Sequence, residues 1–165
     1  METSDSIYFY GLKNKYSFMS NFYKCNFTDE NQINFNCSEQ YFMYNKCLMF
    51  DPTNQILINK ILNENSASKI KQYGRKVGNY NEQIWSKQRY NIMFTALKLK
   101  FSQNQDIKQK LIMTGNKTLY EASKYDKIWG IGFYANDVIK INKNKYGNNL
   151  LGKALMQVRQ ELINL

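Results

Sequence analysis

Histidine is missing from all 165 residues of the chain, which removes the commonest general acid/base near neutral pH. Ser-His and Cys-His nucleophile pairs go with it. Any proton transfer must fall to carboxylates, lysines or tyrosines, tuned by burial and neighbouring charge. Cysteine is scarce: Cys25, Cys37 and Cys47 are odd in number and form no C-x-x-C pair. Without histidine the usual zinc sites cannot be completed, so a reduced compartment and no structural metal are expected. No run of about 18 uncharged apolar residues occurs, and the start METSDSIYFYGLKNK lacks the basic-then-apolar pattern of a secretory signal. A cytoplasmic protein with no membrane contact is the expectation. No Pro/Gly/Ser-rich linker and no repeat interrupts the sequence, so residues 1–165 are read as a single domain with one continuous core.

Arginine is also rare. The formal net charge of +10 is carried by 20 lysines and only 3 arginines. Basicity of this size points to a polyanion or a phosphorylated ligand. Asparagine is as over-used as lysine, the pattern of AT-rich codons drifting onto tolerant surface positions. A protein specialised for nucleic acid would use more arginine, whose planar fork grips phosphate at two points. A phosphorylated small ligand therefore ranks ahead of bulk DNA or RNA.

What the chain has in quantity is aromatic and periodic sequence. Short alternating pieces at Ile7–Tyr10, Phe22-Tyr23 and Ile33–Phe35 suit strands. Asn36 followed by Glu39 resembles a helix cap with its partner, opening a helix that Asp51-Pro52 stops after Phe50. Further helices are expected at 53–62, 67–73, 82–102 and 105–113. Leu151, Ala154, Leu155, Val158 and Leu162 form one apolar stripe on a last helix. The stretch 115–148 is glycine-rich and aromatic. The fold class expected is α+β, mostly helical, with a small β-sheet built from the N-terminal pieces and the late segment.

Three constellations could carry chemistry. Glu39 and Lys46 lie seven residues apart on one helix face, roughly 10 Å along its axis; the bland alternative is a cap residue and a solvated lysine. Asp126-Lys127-Ile128-Trp129-Gly130-Ile131-Gly132 sets a carboxylate before an indole and two glycines. That arrangement suits stacking and close backbone approach, or simply a tight turn over a core tryptophan. Arg75, Arg89, Lys100 and Arg159 sit at expected helix ends, where each could clamp a phosphate or be solvated.

In order and spacing these segments resemble one family, the NADAR or YbiA-like family, whose name refers to NAD and ADP-ribose metabolism. The resemblance rests on Ser20-Asn21-Phe22-Tyr23, Ser38-Glu39-Gln40-Tyr41 with Lys46, Gly74-Arg75, Trp85 with Arg89 and Met93, and Lys100-Phe101. It continues through Thr114-Gly115, Glu121, Asp126 with Trp129-Gly130-Ile131-Gly132, and Gly147 to Met156 with Arg159. It implies a YbiA-like fold and an N-glycosidase that hydrolyses the bond between ribose C1 and an exocyclic amine. The substrates implied are ribosylamino intermediates of riboflavin synthesis, or ADP-ribosylated guanine, with ADP-ribosylated DNA or RNA as a candidate partner and no obligate protein partner. Lys46 is implied as a Schiff-base nucleophile, with Glu39 and Asp126 as acid and base in unassigned order. Trp129 is implied to stack on the base, with Trp85 as a second choice. Arg75, Arg89 and Lys100 would bind phosphate, and Ser20, Asn21, Phe22, Gly130, Gly147 and Asn148 would line the pocket. Gln40 stands where many members have histidine and Lys24 where many have proline. A direct displacement by carboxylates and a non-catalytic ADP-ribose or nucleic-acid binding module are the alternatives.

Overall fold

The computed structural model describes residues 1–164. These form two compact units, one made of Met1–Ser20 and the residues from Gln105 onward, the other of Asn21–Asn104. The class is α+β and mostly helical.

The segment Asn21–Asn104 opens with a short antiparallel hairpin of β2 (Phe27–Thr28) and β3 (Asn34–Phe35). Four helices follow, α1 (Ser38–Phe50), α2 (Gln55–Asn63), α3 (Ala67–Gly74) and the long α4 (Glu82–Gln103). Side-chain caps start three of them: Asn54, Ser66 and Asn81 each accept a backbone N–H of the first turn. Helix α1 differs. Its cap is Cys37, with no side-chain bond, because the Asn36 amide instead donates to the Glu64 carbonyl. The neighbouring Gln40, fully buried, explains the geometry: its Nε2 donates to the carbonyls of Ile61 and Leu62, both at 2.9 Å, closing the end of α2. Its Oε1 accepts the Asn36 N–H at 2.7 Å. The expected strand at Phe22-Tyr23 is loop.

The other unit pairs β1 (Ser6–Phe9) with β4 (Thr118–Glu121) in parallel. Helix α5 (Gln105–Ile112) precedes β4, and α6 (Leu150–Ile163) ends the chain. The single small sheet expected is thus two separate two-stranded sheets. The α6 stripe is buried as its periodicity requires, from Leu151 to Leu162. Helix α6 approaches β4 closely because Gly152 has no side chain; a Cβ there would lie 2.0 Å from the Leu119 carbonyl. Asn149, in the left-handed region at φ 51°, completes the strand edge: its Nδ2 donates to Leu119 O at 2.8 Å and its Oδ1 accepts from Glu121 N at 3.0 Å. Buried Arg159 donates to Thr114 Oγ1 at 2.7 Å and Lys117 O at 3.0 Å. Its role is to tie α6 to the turn before β4.

Candidate active site

Helices α1 and α3 meet where Gly74 faces Met43; a Cβ on Gly74 would fall 1.8 Å from the Met43 sulfur. That close approach presents the Gly74 carbonyl to α1. Lys46 Nζ donates to it at 2.9 Å and lies 4.3 Å from the centroid of the Tyr80 ring. The Trp85 ring stands further off, at 5.9 Å. The amine is half-buried, and loss of hydration pulls its pKa below the ordinary lysine value, against the opposing pull of the Glu82 and Glu39 carboxylates.

Glu82 ties the surroundings together. It accepts from the Tyr80 hydroxyl and, at 3.0 Å, from Arg89 Nη1 one helical face along α4. These bonds hold its carboxyl below the usual range, and burial with the same bond raises the Tyr80 phenol to about 12. Arg89 keeps one donor in reserve: its Nε is buried and unpartnered among the described residues. At the other end of α1, Glu39 is 5% exposed and its N–H donates to Asn21 O at 3.0 Å. Asn21 Oδ1 and Ser38 Oγ are buried acceptors without partners among the described residues. The segment thus offers an amine of lowered basicity, an acidic residue two turns away on the same helix, a buried guanidinium donor and two buried oxygens able to take hydroxyl donors.

Other expected residues are placed differently. Trp85 packs against Phe42 and Phe50, with ring centroids 4.8 and 6.2 Å away, and is a core residue. Arg75 is exposed at the end of α3, and the Phe22 ring lies 5.8 Å from Lys71 Nζ. Lys100 is fully enclosed, over the rings of Tyr23 at 5.4 Å and Phe101 at 5.2 Å, and burial lowers its pKa to about 8. No surface of it is left for a phosphate.

Asp126, Trp129, Gly130, Gly147 and Asn148 come together in the unit of β1 and β4. Asp126 Oδ1 accepts the N–H groups of Ile128 at 2.9 Å and Trp129 at 2.7 Å, fastening the turn that carries the indole. The amides of Gly147, Asn148, Asn149, Leu150 and Leu151 donate to carbonyls of residues 127–131. A helix start with its amides so engaged cannot offer them to a ligand, which closes the route expected for Gly147 and Asn148. Gly147 and Gly130 instead permit backbone contact: a Cβ would meet Lys127 O at 2.5 Å in the first case and Glu121 O at 2.8 Å in the second. Ser20 closes the short turn Ser17–Met19, its N–H donating to Ser17 O.

Tyr80 and Glu82 escaped sequence reasoning, although two signals existed. An aromatic stands in the polar turn Asn79–Asn81, and a carboxylate stands seven residues before Arg89 on one helix face. Among the described residues no cluster of His, Cys, Asp or Glu could hold a metal ion, and no helix is long and apolar enough to cross a membrane.

A helical α+β chain with a lysine amine set among aromatic rings and carboxylates defines the class. The NADAR domain model matches residues 8–163, and the chain belongs to that family. It is 40% identical over 169 residues to N-glycosidase R617 of Acanthamoeba polyphaga mimivirus, covering 98% of each chain. It is 31% identical over 159 residues to the riboflavin biosynthesis protein VVA0006 of Vibrio vulnificus, covering 94% of this chain and 38% of that protein. The solution structure of YbiA from E. coli superimposes with a TM-score of 0.78 at 24% identity, covering 99% of this chain and 88% of that one.

Proposed function

We propose that this N-glycosidase hydrolyses the bond between ribose C1 and an exocyclic amine of a phosphorylated, nucleotide-like substrate, with Lys46 as the covalent nucleophile. The observation that carries the reading is the Lys46 amine itself: half-buried, lowered in basicity, and held by a backbone carbonyl over an aromatic ring. A ribosylamine opens to a C1 imine. The neutral Lys46 amine adds to C1, the substrate amine departs with a proton, and a lysine–C1 imine remains. Water adds to that carbon, the C–N bond to lysine breaks, and the free aldehyde closes to ribose. The sum is one water consumed and one amine released. Glu39, two turns away on α1, is the proton carrier for the leaving nitrogen or the incoming water. Arg89, whose side chain stays partly exposed beside Glu82, is the phosphate donor, and Asn21 orients a sugar hydroxyl.

Two substrates fit this chemistry, ADP-ribosylated guanine in nucleotide or nucleic acid and the ribosylamino intermediates of riboflavin synthesis. The likeness to a riboflavin biosynthesis protein supports the second, and the +10 charge supports an anionic ligand in either case. On this reading residues 1–165 act as one catalytic domain in the cytoplasm without a cofactor.

Purified protein is incubated in EDTA with guanine-ADP-ribosylated oligonucleotide, and separately with the ribosylamino pyrimidine phosphate, with and without cyanoborohydride. Amine release and a reduced sugar adduct on the Lys46 peptide are the expected result. Turnover retained by Lys46→Ala would overturn the Schiff base in favour of carboxylate displacement. Binding without turnover of either substrate would make the chain a reader of ADP-ribose.

A further inference from the structure

A cavity of about 380 Å³ lies in the unit that contains β1, α5 and β4, and none of the residues around Lys46 lines it. Its floor is apolar, with the buried side chains of Ile7 from β1 and Phe18 from the Ser17–Met19 turn. Met113, 82% exposed, stands at its edge. An unbranched thioether there can shift to cover ligands of different outline. The volume falls within the range usual for small-molecule sites.

The polar rim is one-sided. Lys15, Lys110 and Lys117 face the cavity against a single carboxylate, Glu2. That carboxylate shows what the rim can hold: one oxygen takes Lys15 Nζ at 2.6 Å and the Tyr16 hydroxyl, and the other takes Lys117 Nζ at 2.6 Å. Two ammonium groups and a phenol thus converge on one anionic head. Lys110 stays largely outside this arrangement, only 3.9 Å from Asp106 and half-exposed. Three cations against Glu2 and the Asp106 that pairs with Lys110 leave an excess of one positive charge, which favours an anionic head such as a phosphate monoester over a neutral one.

We propose that this cavity binds a small phosphate monoester with a flat apolar body, the body lying on Ile7 and Phe18 and the phosphate bridging Lys15 and Lys110. Glu2 competes for the same rim, so it weakens binding without closing the site.

The test is fluorescence titration of the full chain with 1-naphthyl phosphate, with inorganic phosphate and neutral 1-naphthol as controls. Wild type is expected to bind the naphthyl phosphate more tightly than either control. The Lys15→Glu/Lys110→Glu variant changes two exposed side chains and so keeps its fold; it should bind about tenfold more weakly or worse. Glu2→Gln should bind several-fold more tightly, because it frees two lysines. Equal affinity of wild type and the double lysine variant would overturn the proposal, as would binding abolished by Arg89→Ala and untouched by the lysine changes. Turnover of the ribosylamine substrates by the double variant should equal wild type, which separates this site from the glycosidase reading.

Discussion

Lys46 and Lys100 show how differently one residue type behaves in two settings within Asn21–Asn104. Lys46 is half-buried and faces acceptors, whereas Lys100 has no exposed surface and lies against two rings and the thiol-bearing Cys25 and Cys37. Replacing Lys46 by alanine is expected to cost about a thousandfold or more in kcat/KM with little change in thermal stability, since a nucleophile is lost and no core contact. Glu82 stabilises the charged form of Lys46. Glu82→Gln should therefore move the rising limb of the pH–rate profile to lower pH, and an unmoved limb would remove Lys46 from the rate equation.

For Lys100 the consequence is stability. Burial holds its folded pKa at about 8, below the ordinary lysine value, so the unfolded chain binds more protons in between and stability rises with pH across that window. Between pH 7 and 9.5 the gain is about 2 kcal/mol at about 1.4 kcal/mol per pKa unit. Urea unfolding of wild type should show that gain relative to Lys100→Met; parallel curves for the two proteins would mean that Lys100 stays charged.

At the scale of elements, close backbone approaches decide where functional groups stand. Gly74 brings α3 against α1 and delivers a carbonyl to Lys46; Gly152 brings α6 against β4. The two differ in tolerance. A methyl at residue 74 meets the far end of a flexible methionine, but at residue 152 it meets a strand carbonyl. Gly152→Ala is expected to destabilise by roughly 1–3 kcal/mol or more, the range for overpacking, and thermal unfolding would detect it. Most element boundaries were readable because apolar spacing and caps are local: α2 to α6 lie within a few residues of their expected spans. The cap of α1 was not. Asn36 looks like a capping residue in isolation, yet its amide is drawn to Glu64 and its N–H to Gln40, partners 28 and 4 residues away.

On the scale of the whole molecule, the surplus of positive charge bears on association more than on fold. Cleavage of an ADP-ribosylated oligonucleotide should lose kcat/KM steeply between 50 and 200 mM salt, while cleavage of the corresponding mononucleotide changes far less. Identical salt dependence would mean that the lysines act as solubilising surface alone. By itself the sequence determined the helical α+β class, the buried stripe of α6, the exclusion of histidine chemistry, and the pairing of Glu39 with Lys46 on one helix. Each of these follows from composition or from contacts within a few turns of chain. Only the tertiary structure decided that Tyr80, Glu82 and the Gly74 carbonyl surround Lys46, that Lys100 is enclosed, and that the amides of 147–151 are taken up by the 127–131 loop. Burial and hydrogen-bond partners depend on which distant segments meet, and that is set by packing rather than by local pattern.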